Sequence, residues 1–129
     1  MNPQSKLDVR PILTLDAFTC FAAGALMLLG AGLLSPLLGL PVGLLTVAGA
    51  MLMPIAALFG WMSRQAAVSP ALLLLAVVGN AAWVVASLVV LFVCKPSLLG
   101  VAFVAGQAAV VAVLAMLEAR GLGRAPVSA

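Results

Sequence analysis

PALLLLAVVGNAAWVVASLVVLFV, from Pro70 to Val93, runs its whole length without a charged side chain. It exceeds the roughly 20 apolar residues that cross a hydrocarbon core of ~30 Å. It also lacks the apolar/polar alternation of an outer-membrane barrel strand, and in lipid a lone segment satisfies its backbone groups only as a helix. Ser69-Pro70 places a proline in the first turn, and Lys95-Pro96-Ser97 marks the far end. The stretch reads as a transmembrane helix that carries one strongly polar side chain, Asn80, near its middle.

The same pattern recurs three times, from Leu13 to Leu34, Pro41 to Trp61 and Leu98 to Glu118. Hydrophobic residues make up 66% of the chain and charged residues 7%, against roughly 25% charged in soluble domains. The mean hydropathy is +1.35. A water-soluble fold is excluded, and residues 1–129 form a single all-α, polytopic transmembrane domain. Connections this short predict an antiparallel up-down four-helix bundle in which successive helices are neighbours.

Ser35-Pro36 is expected to close the first helix, Gly121 and Gly123 the fourth, and Pro54 to kink the second. The uncharged connection from Pro36 to Val42 is expected to pack over the bundle mouth. Gly39-xxx-Gly43, Ala102-xxx-Gly106 and the stripe Gly79, Ala82, Ala86 read as surfaces for close helix approach. Asp16 and the length of the first apolar run favour a retained helix over a cleaved signal peptide.

A net charge of +3 forms no continuous basic stripe, so nucleic acid is not an expected partner. The distribution reports topology instead. Lys6, Arg10, Arg64, Arg120 and Arg124 fall on one side of a four-span chain and Lys95 alone on the other, which makes both termini cytoplasmic.

Polar side chains inside the spans locate any site, because a charge at a helix centre costs ~2.5–3.5 kcal/mol. Asn80, Trp83 and Ser87 recur at i, i+3 and i+7 and share a face. Gln107 and Glu118 align about three turns apart. Helical phase sorts these groups into amides, Asn80 and Gln107, at mid-depth and acids, Asp16 and Glu118, towards the cytoplasmic edge. The amides with Trp83, Ser87 and Met53 are expected either to line a small ligand pocket or to form a packed hydrogen-bonded seam. Two carboxyls in a low-dielectric site suit proton handling; the alternative is pairing with Arg10, Arg64 or Arg120.

The chain has no His and two Cys, which removes imidazole metal sites, ordinary haem ligation and iron–sulfur clusters, and Cys20 and Cys94 are expected too far apart in depth to bridge. No phosphate loop and no nucleophile–base set is present. No cofactor, metal or enzymatic activity is therefore expected.

At Gly79-Asn80-Ala81-Ala82-Trp83 followed by Ser87, at Gly100-Val101-Ala102-Phe103 through Gln107-Ala108 to Leu117-Glu118, and at Leu15-Asp16-Ala17, the chain resembles an uncharacterised family of small bacterial four-span integral membrane proteins. The resemblance covers nearly the whole chain. In size and topology it extends loosely to DoxX-type four-helix proteins. It implies a four-helix bundle in the bacterial inner membrane. Small multidrug transporters also carry an acid in the first of four spans, but Asp16 lies nearer the edge than theirs, and the aromatic-rich binding surface is missing.

Two functions fit this sequence. One is binding or transport of a small or lipid-like molecule through the polar seam of Asp16, Asn80, Ser87, Gln107 and Glu118, with membrane lipids as surroundings and a homo-oligomer as the expected assembly. The other is an accessory or scaffold subunit of a larger membrane complex with no ligand of its own.

Overall fold

The computed structural model describes residues 8–122. The basic residues Lys6 and Arg124 and the expected terminator Gly123 lie outside them. Four helices occupy the described residues: α1 Arg10–Leu38, α2 Val42–Ser63, α3 Pro70–Cys94 and α4 Leu98–Leu122. All four are long and apolar enough to cross a membrane.

The largest difference from the expected limits is at α1, which continues through Pro36. A proline this close to a helix end removes only one backbone bond. The helix closes at Gly39, where φ is 68° and the N–H bonds the Ser35 carbonyl at 2.9 Å. That left-handed turn is one glycine adopts without strain.

Each helix buries a stripe stepped by threes and fours, the spacing of one helix face. On α1 it is Leu13, Asp16, Cys20, Gly24, Met27 and Ala31; on α2 it is Leu45, Gly49, Leu52, Ala56, Phe59 and Met62. The remaining faces are covered by large apolar side chains, among them Leu29, Phe92 and Leu98, as a surface in contact with lipid tails requires.

α1 packs along α2, α3 along α4, and α1 against α4. α1 and α2 approach closely at Gly24 and Gly49. A Cβ on Gly49 would stand 2.7 Å from the Leu28 nitrogen and 2.8 Å from the Gly24 carbonyl oxygen. At the far end, the Ser97 N–H bonds the Leu38 carbonyl at 3.0 Å and the Ser97 Oγ donates to the Leu37 carbonyl at 2.8 Å. A Cβ on Gly100 would run into the Leu38 carbonyl oxygen. The uncharged connection is thus held down by the α3–α4 link.

Two expectations about packing are corrected. α2 and α3, although consecutive, touch only marginally, because their facing surfaces are separated by a cavity. The stripe Gly79, Ala82, Ala86 lines that cavity instead of receiving a helix. Gly43 and Gly106 are likewise open, with nothing within 4 Å of an added Cβ.

Candidate functional site

The polar side chains within the spans form two clusters. Nearer the start of α1 and the end of α4, Asp16 is 1% exposed and Glu118 0% exposed. Asn80 of α3 joins them. Its Nδ2 amide donates one hydrogen to Asp16 Oδ2 at 2.8 Å and the other to Glu118 Oε1 at 3.0 Å. Cys20 Sγ, one turn beyond Asp16 on α1, donates to Asp16 Oδ1 at 3.6 Å. Glu118 Oε2 is buried without a partner.

Helical spacing explains how three helices converge here. Asp16 and Cys20 stand four apart on the buried stripe of α1, Asn80 continues the Leu73–Ala76 stripe of α3, and Glu118 falls between Ala115 and Gly121 on α4. Gly121 admits close packing, since a Cβ there would collide with Val9. The alternative of cation pairing is not what forms. Arg10 instead engages Asp8, with Nη2 to Oδ2 at 2.8 Å, and donates from Nη1 to the Gln65 carbonyl at 3.3 Å. Arg64 and Arg120 are exposed. The Arg10 guanidinium holds the Asp8 carboxyl below its ordinary range through that hydrogen bond.

The second cluster lies further along α3. Trp83 Nε1–H donates to Gln107 Oε1 at 2.9 Å, and Gln107 Nε2 donates to Ser87 Oγ at 2.8 Å and to the Val104 carbonyl at 2.9 Å. Ser87 Oγ donates back to the Trp83 carbonyl at 2.8 Å. The circuit is closed, as buried polar groups in an apolar medium require.

This circuit forms part of the wall of a cavity of about 450 Å³ that all four helices line. Its other walls are apolar, with Met27 from α1, Met51 and Ile55 from α2, and Phe103 from α4. The volume falls within the ~300–1,000 Å³ usual for small-molecule sites. Trp83, Ser87 and Gln107 border it, whereas Asn80, expected beside them, does not and stands with the two acids. The methionines at the cavity are Met27 and Met51, not Met53, which turns towards Gly24. The residues missed by sequence reasoning are Cys20 as a donor and the small side chains of α3 as cavity lining. The signal for the first was the i, i+4 spacing from Asp16.

Chemically, the acid cluster can take up or release a proton. The Trp83–Gln107–Ser87 wall can exchange one internal hydrogen bond for one to a polar group on a guest that is otherwise apolar. No protein-family model, curated protein or solved structure matches the chain.

Proposed function

We propose that this chain is a bacterial inner-membrane protein, an antiparallel up-down bundle with cytoplasmic termini, that binds a small lipid-like molecule between α2 and α3. The observation that carries the reading is the cavity of about 450 Å³. It is apolar on most sides, carries one polar wall at Trp83, Ser87 and Gln107, and lies within helices whose outer faces suit lipid. A guest with an apolar body and a single hydrogen-bonding group matches that lining, and membrane lipids and their free fatty acids supply such molecules. Binding without catalysis is the proposed role. The contacts between Gly24 and Gly49 and between Leu38 and Ser97 support the helix order, and Arg10, Arg64 and Arg120 against Lys95 support the orientation.

The test uses Trp83 as reporter in a Trp61→Phe protein reconstituted in lipid bilayers, with a brominated fatty acid as quencher. Saturable quenching, relieved by the unbrominated acid, is expected. Gly79→Leu, at a site with open space around its Cβ, should fill the cavity and weaken the effect by about tenfold or more, equivalent to about 1.4 kcal/mol. Quenching that rises without saturation and is unchanged by Gly79→Leu would mean that the probe reaches Trp83 only from bulk lipid. The scaffold reading would then stand.

A further inference from the structure

The acid cluster carries an inference of its own. One nitrogen, Asn80 Nδ2, hydrogen-bonds an oxygen of each acid, which places those two oxygens within about 6 Å of each other, the range over which like charges resist joint ionisation. Four carboxyl oxygens share three donor hydrogens, two from Asn80 and one from Cys20, and Glu118 Oε2 has none. Among the described residues the only ion pair is Asp8–Arg10, and Arg64 and Arg120 are exposed. The buried α2 residues towards this end, Phe59 and Met62, bring no titratable group.

Two full negative charges in that setting would go uncompensated, and the desolvation of each ion would not be repaid. A cation is a poor remedy, because Asn80 turns its N–H groups and not its carbonyl oxygen towards the acids. A proton supplies both what the charge and what the hydrogen-bond inventory lack.

We propose that Asp16 and Glu118 form a site for one exchangeable proton, clamped by Asn80, and that its loading state alters the wall that Trp83 presents to the cavity. On loading, a proton from water bonds to a carboxylate oxygen, and the new O–H supplies the missing donor. On release, the electron pair stays with the oxygen and the site gains one negative charge, which draws on the Asn80 amide and the Cys20 thiol as donors. Asn80 and Trp83 stand one turn apart on α3, so a shift of the amide is felt at the indole. This second half rests on the cavity reading, whereas the proton site does not.

Infrared spectroscopy of the reconstituted wild-type chain, with heavy-carbon label in the carboxyls of Asp or of Glu, reads the proton directly. A carboxylic-acid band that moves with the label, is present at pH values where exposed Asp8 is already ionised and disappears as pH is raised further is expected, and over that range it should be lost in Asp16→Asn and in Glu118→Gln. Carboxylate bands alone at every pH, or an acid band unaltered by pH or persisting in Glu118→Gln, would overturn the site. The label experiment needs no variant, so misfolding does not obscure it. Trp83 emission in the Trp61→Phe background should follow the same titration and be flat when Glu118→Gln is added. Emission flat in the parent while the acid band titrates would overturn the coupling alone. Loss of brominated-acid quenching with the acid band intact would sink the cavity reading and spare the proton site.

Discussion

Asn80 is the side chain whose loss should cost most among the polar residues. An interhelical hydrogen bond in a membrane averages about 0.6 kcal/mol, but Asn80 serves two buried acids from two different helices. Asn80→Ala leaves both oxygens short of a donor, a penalty of about 1–3 kcal/mol, to be read as lowered stability to denaturing detergent in mixed micelles. Gln107→Leu should instead act locally: Trp83 Nε1–H loses its acceptor, and indole emission in the Trp61→Phe background should shift to shorter wavelength. At Asp8, outside the spans, the lowered carboxyl range means that stabilisation by Arg10 is present above the unfolded aspartate value and lost as pH falls through the folded one. Asp8→Asn should flatten the acid side of the thermal stability profile. The polar residues themselves were legible in the sequence, since each interrupts an apolar run. The place of Asn80 among them was not, because helical phase gives a face but not the neighbour that the face meets. Asn80 shares a face with Trp83 and Ser87, yet its amide turns to Asp16 and Glu118.

Helices α1 and α2 owe their intimacy to two glycines that the sequence does not single out. Gly24 and Gly49 lie among many glycines of similar setting, and only the buried stripe of α1, continuing from Asp16 through Cys20, leads to the first of them. Gly49→Ala must displace Leu28 backbone or the Gly24 carbonyl, so a loss of about 1–3 kcal/mol is expected from overpacking. Thermal unfolding in detergent reads that loss, and Gly43→Ala, with open space around its Cβ, should leave the unfolding temperature unchanged. The existence, type and number of helices were readable from apolar length alone, and the limits of α2, α3 and the start of α4 fall close to those expected. Pro36 misleads because proline breaks a helix by removing one bond, and that removal is tolerable where the chain is about to turn at Gly39.

For the molecule as a whole, order in the sequence does not set proximity: α2 and α3 follow one another but are held apart by the cavity, while α1 and α4, distant in sequence, are packed together. Loop length constrains reach without dictating contact, which is why the bundle was foreseeable and its missing seam was not. The proposed orientation places half-buried Cys94 at the outer face. A membrane-impermeant maleimide added to intact cells should label Cys94, with buried Cys20 spared; labelling of Cys94 only after the inner face is exposed would reverse the topology. The joint between Leu37–Leu38 and Ser97, with the Asn80 clamp near the opposite ends of α1 and α4, makes those two helices the spine of a book. Its covers meet weakly at the α2–α3 edge, where residues 64–69 run as a ribbon tied across the pages. On the proposed binding role, the length of that ribbon would limit how wide the book opens, and so how bulky a guest enters.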